Sequence, residues 1–299
     1  MRIGIQTSGL QQSFTPTEMF RLIHDSGFNC VDFNLDVFLP WNDIESGRKT
    51  TELDGTWEET RAALEPFKTA AVNSAVGFYQ AHAPFPIPMG NERMVRATKR
   101  CLEACAYLEC GNLIVHPIFE QYSDRKRLDS YDEWNTNIAF YSGLIPVCKD
   151  TGVRVCMENM FTGYNGRKMQ APCSDMEEAV RYVDTLNGIA GFDCFGFCLD
   201  TGHAMLFAQD QERAVKTLGS RLSALHLNDN DGRDDLHFAP YMGAVDWDAV
   251  AAGLKAVSYP GALCFETGGS VGRFDPKLYP ELLRLIAAAG RLLWERIHN

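Results

Sequence analysis

No two of the ten cysteines form a Cys-x-x-Cys pair. Cys156, Cys198 and Cys264 sit inside apolar strand-like runs, and Cys101 and Cys105 lie one helical turn apart. Buried, reduced thiols in a cytoplasmic protein are therefore the expectation. No apolar run reaches the roughly 20 residues of a membrane span, and the opening Met-Arg-Ile-Gly-Ile-Gln lacks a secretory layout, so no membrane partner is expected. Cations are in deficit. Lys and Arg total 28 against 39 Asp and Glu, a formal net charge of −11, which disfavours nucleic acid as a partner. Tandem repeats and low-complexity linkers are also missing. At 299 residues the chain is slightly long for one α/β barrel and short for two ordinary domains.

What is there alternates. Arg2 to Gln6 reads as a first strand, and Thr15 caps a helix that opens with Pro16, turns Met19, Leu22 and Ile23 inward and ends at Gly27. Phe28 to Leu35 holds a second strand with Val31 and Phe33 on one face, and residues 36 to 56 read as a loop over a barrel mouth. A helix from Trp57 to Ala71, interrupted near Pro66, precedes a third strand from Ala75 to Ala83. Further strands are expected at Asn112 to Val115, Arg154 to Met157, Phe195 to Leu199, Leu222 to Leu225 and Ala262 to Phe265. Between and after them, helices are expected at Asn91 to Glu109, Tyr131 to Lys149, Ser174 to Leu186 (Ser174 and Glu177 forming a capping box), Asp246 to Val257 and Pro280 to Ile297. Eight strands alternating with helices predict a single (β/α)8 barrel, one domain over residues 1–299.

The strand ends carry the chemistry. From the third strand onward each ends in, or just before, a ligand-type residue: His82, His116, Glu158, Asp200, His226 and Glu266. The steps between them are 34, 42, 42, 26 and 40 residues, about 37 on average, which is also the length of one-eighth of the chain. A barrel gathers the carboxyl ends of its strands at one mouth, so these side chains can converge. A lone His116 ahead of Pro117 would more often be a hydrogen-bonded loop residue. Glu158 and Glu266 are harder to explain that way. Each ends an apolar strand, where an unpaired carboxylate is costly to bury, and with Asp200 and His226 they point to a shared metal.

Met157-Glu158-Asn159, Leu199-Asp200-Thr201-Gly202-His203, His226-Leu227-Asn228-Asp229 and Phe265-Glu266 resemble the xylose-isomerase-like TIM-barrel superfamily, most of all its sugar (phosphate) isomerase/epimerase group. Gln80-Ala81-His82-Ala83-Pro84-Phe85 is similar to that group as well. The resemblance implies one divalent metal (manganese, zinc, cobalt or magnesium) on Glu158, Asp200, His226 and Glu266, with the two glutamates as the acid/base pair. It also keeps a rival open. Apurinic-site endonucleases with three zinc ions share the barrel and use further ligands, whose counterparts here are His82, His116, His203, Asp235 and His237. In many sugar-acting relatives those positions contact substrate instead. The acidic balance favours sugar chemistry, and the mouth loops add Asp36, Asp43, Glu45, Asp229, Asp231, Asp234 and Asp235 to it.

The expected activity is therefore isomerisation or epimerisation of a ketose or related carbohydrate, by removal and return of a proton beside a carbonyl. His203 and Arg233 are candidates to orient the substrate, while Trp41, Phe85 and Trp247 could cover a sugar face, with core or lid packing the expected role for each. Dehydration of a cyclic polyol ketone would use the same metal and base, and a non-enzymatic sugar-binding barrel is a further alternative. The sugar, its phosphorylation and the formation of a homo-oligomer are left open.

Overall fold

The computed structural model describes residues 1–119 and 130–299. Eight parallel strands form the wall of a barrel: β1 Ile3–Gln6, β2 Cys30–Asn34, β3 Gly77–His82, β4 Asn112–Ile114, β5 Arg154–Glu158, β8 Phe195–Asp200, β9 Leu222–His226 and β10 Leu263–Phe265. Their order is β10-β1-β2-β3-β4-β5-β8-β9, every pair parallel. A parallel bridge between Leu227 and Phe265 brings β9 against β10 and closes the ring at its mouth. The strands read as apolar runs because both faces are covered; all six residues of β8 are buried. Helices between them pack on the outside, as the right-handed crossover of parallel strands requires. Among the described residues no helix is long and apolar enough to cross a membrane.

Several expected boundaries move, each for a local reason. The 36 to 56 stretch is not one loop: it folds into a 3-10 turn, Asp36–Phe38, and two short helices, Trp41–Ser46 and Thr51–Asp54. Arg93 ties it down, with Nε and Nη2 on the Asp54 carboxylate (2.9 and 2.6 Å) and Nη1 on the Asp43 carbonyl (2.7 Å). The helix Trp57–Asn73 runs straight through Pro66. The 131 to 149 helix breaks instead, into Ser130–Ser142 and Ile145–Thr151, because Pro146 has no N–H to continue it and opens the second piece. The next helix, Met176–Ala190, starts one residue later than expected: Asp175, not Ser174, caps it by accepting from the Glu178 N–H at 2.9 Å.

Several elements have no counterpart in the sequence reading, among them the short helices Ser8–Ser13, Thr201–Leu206 and Gln211–Leu218 and an antiparallel hairpin. Strands β6 Phe161–Tyr164 and β7 Arg167–Gln170 form an antiparallel hairpin after β5, turned by Asn165 (φ 48°) and Gly166 (φ 72°). Positive φ at both turn residues is what an Asn-Gly type I′ turn supplies. The hairpin hangs over the mouth.

Candidate functional site

Each barrel strand from β3 on delivers one ligand-type side chain to the mouth. His82, Glu158, Asp200 and His226 are the last residues of β3, β5, β8 and β9; Glu266 follows β10 by one residue and His116 follows β4 by two. All six are buried. Five of the seven histidines of the chain lie here.

The centre is His226. Its Nδ1 lies 3.1 Å from Glu158 Oε1 and 3.0 Å from Glu266 Oε2, and its Nε2 lies 2.7 Å from Asp32 Oδ2. One ligand atom from each of Glu158, Asp200, His226 and Glu266 falls within 4.8 Å of the others. Glu266 Oε2 is buried but receives no bond in hydrogen-bond geometry. A carboxylate oxygen left in that state, beside two more carboxylates and an imidazole, fits a divalent cation, for which N and O donors are the usual ligands.

Asp200 is set by its neighbours on both oxygens. Oδ1 accepts from the His203 N–H (2.7 Å), capping the short helix Thr201–Leu206, and Oδ2 accepts from Asn228 Nδ2 (2.7 Å). This explains the glycine of Asp-Thr-Gly-His: a Cβ on Gly202 would lie 1.9 Å from the Asn228 Oδ1. Asn159 adds a two-way backbone clasp on Asp200, 2.9 and 2.8 Å.

Two further trios flank the centre. His82 Nε2 lies 3.0 Å from His116 Nε2, which is 3.1 Å from Glu158 Oε2. On the other side His237 Nε2 is 2.7 Å from Asp235 Oδ2, and His203 Nε2 is 3.7 Å from Asp235 Oδ1. Each trio holds its ligand atoms within 4.8 Å. The loop after β9 that presents Asp235 and His237 is anchored by Asp229, whose carboxylate accepts from the N–H groups of Asn230 and Val245 and from Trp247 Nε1, at 3.0, 2.9 and 3.0 Å. His237 itself adopts φ 45°, an uncommon conformation for a non-glycine residue.

The electrostatics follow from this packing. Burial alone would raise Glu158, but His226 and His116 hold it well below the usual carboxylate range. Burial acts likewise on Glu266, which His226 and His237 bring down to about 2. Asp200 goes the other way, pushed up to about 7 by burial and by the charges of Glu266 and Glu158. Burial disfavours the charged imidazoles, yet the acidic groups around them raise His226 and His203 well above the ordinary value, and Glu266 and Asp235 take His237 to about 9. Burial keeps His116 low. Without a cation, imidazolium groups neutralise the carboxylates.

Above the cluster lies a cavity of about 360 Å³, within the range of small-molecule sites. His82, His116, Glu158, His203, Asp235, His237 and Glu266 line one side of it, and Phe85, Ile87, Phe119, Met160 and Phe161 much of the rest. Phe161, from the hairpin, meets His203 in a T-shaped contact with ring centroids 5.0 Å apart, and Lys168 Nζ lies 4.7 Å from the Phe161 ring centroid. Among the described residues no Lys or Arg lines the cavity.

Over residues 20–289 the chain matches the family described as xylose isomerase-like TIM barrel. It belongs to that family. An uncharacterised protein of Sinorhizobium fredii, y4fM, is 24% identical over 266 residues, covering 82% of this chain and 79% of that one. Among solved structures, D-psicose 3-epimerase in the presence of D-fructose superposes with a TM-score of 0.74 at 17% identity, over 98% of this chain and 99% of the other. The IOLI protein with a binding zinc atom gives 0.67 at 15%, over 99% and 98%. At these identities the two structures show the shared barrel.

In this xylose isomerase-like barrel nine of the ten expected site residues come together. Arg233 does not: it lies on an exposed turn whose N–H groups bond Asp231, outside the cavity lining. Of the acids counted as mouth charge, Asp43 is buried and paired with Arg48 (2.6 Å), and Asp229 is a buried anchor. Trp247 is buried with it, whereas Phe85 does face the cavity. Sequence reasoning missed Asp32 and Gln6. Gln6 Nε2 donates to Glu266 Oε1 at 2.5 Å. The signal for Asp32 was available, since it alternates with Val31 and Phe33 and so must face the barrel interior.

Proposed function

We propose that the protein is a divalent-metal-dependent isomerase or epimerase of a sugar or sugar phosphate, with Glu158 and Glu266 as its proton-transfer pair. The observation that carries this reading is that both glutamates line the cavity and approach the same nitrogen, Nδ1 of His226. Glu158, Asp200, His226 and Glu266 are the four residues that would hold the metal. When bound, a cation such as manganese, zinc, cobalt or magnesium supplies Lewis-acid stabilisation of the negative charge left on a carbonyl oxygen by proton loss, worth several kcal/mol.

The rest falls to the chain itself. Glu158 and Glu266 stand three strands apart around the ring, on β5 and β10, so a sugar between them meets a carboxylate on either side. One takes the proton beside the carbonyl and the other returns one, on the opposite face or at the neighbouring carbon. Gln6 steadies Glu266 through its Oε1, and His116 steadies Glu158 through its Oε2. His82, His116, His203, Asp235 and His237 offer hydrogen bonds to hydroxyls, while Phe85, Ile87, Met160 and Phe161 keep water from the reacting carbon. The likeness of fold to D-psicose 3-epimerase supports a carbohydrate substrate. We read residues 1–299 as one catalytic domain, working in the cytoplasm.

Incubating the metal-loaded protein with a panel of ketoses and following their carbon spectra by NMR tests the reading. Interconversion of two sugars should stop on chelation and resume when metal is restored. Elimination of water from a cyclic polyol ketone would select dehydration instead. A nuclease reading has one observation in its favour, the two flanking trios that could also bind metal. The cavity, uncharged by Lys or Arg among the described residues, weighs against a phosphate backbone there.

A further inference from the structure

We propose that Asp32 is the positioning residue of the metal site, fixing His226 as the tautomer whose Nδ1 is free to ligate. The inference rests on the metal reading above and concerns a residue no strand-end pattern marks.

Asp32 lies two residues before the end of β2, fully buried on the inner side of the barrel beneath the ring of ligands. In register it stands between Gln6 on β1 and Gln80 on β3, so the three form one polar layer. Two donors converge on its Oδ2: His226 Nε2 at 2.7 Å and Gln80 Nε2 at 2.9 Å. Gln80 cannot swing away, because the same nitrogen also donates to the Leu225 carbonyl at 3.0 Å, next to His226 on β9. The Gln80-x-His82 stretch thus braces Asp32 with its first residue and joins the cavity wall with its third.

A carboxylate accepts and does not donate, so the His226 nitrogen facing Asp32 must carry hydrogen. Nδ1 faces Glu158 Oε1 and Glu266 Oε2 at 3.1 and 3.0 Å, so a cation held by those carboxylates would meet the ring at Nδ1, whose lone pair is the one available while Nε2 keeps its hydrogen on Asp32. Reversing the tautomer would put a lone pair against Asp32 and leave that carboxylate with Gln80 as its one donor, since Oδ1 has none. Burying a charge so poorly satisfied is costly. The hydrogen bond on one imidazole nitrogen commonly sets which of the two binds metal, and it fixes the ring's orientation at the same time.

The experiment uses zinc, which is diamagnetic. Affinity is measured by competition with a chromogenic chelator for the full-length protein and for Asp32→Asn, and the histidine nitrogens of the zinc-loaded wild type are read by ¹⁵N NMR. The inference expects Asp32→Asn to bind zinc roughly 10- to 100-fold more weakly. It also expects hydrogen on Nε2 and metal on Nδ1 of His226. Equal affinity in the variant, or zinc on Nε2, overturns it. The NMR arm needs no variant, so a poorly folding Asp32→Asn does not protect the idea. A structural role alone would lower stability in both states and leave the zinc constant of the folded protein unchanged. Wild-type protein that retains no zinc at all overturns the metal reading itself, and this inference with it.

Discussion

Nδ1 of His226 lies 3.0 Å from Oε2 of Glu266, within ion-pair range but outside hydrogen-bond geometry. In the metal-free protein the acidic groups around His226 keep the ring doubly protonated well above the ordinary imidazole pKa. A cation that takes Nδ1 must expel a proton. Metal binding near pH 7 should therefore release about one proton or more per chain and tighten as pH rises. Titration calorimetry in two buffers of different ionisation enthalpy reads this directly. Identical heats in both would contradict it.

The same shifts set how stability depends on metal. His226 has a raised pKa, so its ion pairs stabilise the metal-free fold fully below about 6.5 and are lost as pH climbs through the raised value; His237 behaves likewise, up to about 9. Glu266 has a lowered pKa, so its contribution is present above 4.5 and is lost only as pH falls through about 2. Between these limits rising pH weakens the metal-free protein, while the cation, which binds only the folded state, holds the loaded one. The melting-temperature gap between loaded and chelated protein should widen from pH 6 to pH 9. A gap that stays constant or narrows would count against the site.

Asp229→Ala should destabilise the fold by about 3 kcal/mol or more, because three buried N–H donors would lose one charged acceptor. Chemical denaturation measures it. The loop carrying Asp235 and His237 would loosen with it, so the variant should also lose affinity for substrate. A loss under 1 kcal/mol would show that water replaces the carboxylate.

The strand-end residues were legible because one ligand-type residue per βα unit is a pattern in sequence, and because burying Glu158 or Glu266 unpaired is expensive. Asp32 was missed because it ends no strand, although the alternation of β2 marks it as inward. The hairpin of β6 and β7 was missed although Asn165-Gly166 is a strong turn signal, its strands being short and mostly exposed. Ser174 and Asp175 both suit a cap, each with a glutamate three residues on, so the choice between them needed the fold. Counting Asp43 and Asp229 as mouth charge failed because an acid in a loop can be an internal anchor.

One tight metal per chain is expected, and no incision of duplex DNA at an abasic site, even with zinc present at low salt. Elemental analysis of wild type and His226→Ala should show the metal lost in the variant. Three bound metals together with efficient incision would establish the nuclease reading.

The central claim is that Glu158 and Glu266 move protons at carbon. Substrate incubated with metal-loaded protein in deuterated water should take up deuterium at the carbon that is isomerised or epimerised. Glu158→Gln and Glu266→Gln, each confirmed to carry metal before assay, should lose turnover by roughly 10²- to 10⁴-fold, the contribution of a positioned acid or base. One of them should still exchange the proton on the face served by the remaining carboxylate, which assigns each glutamate its side. Undiminished turnover in both metal-loaded variants, or conversion without any deuterium in the product, would contradict the account.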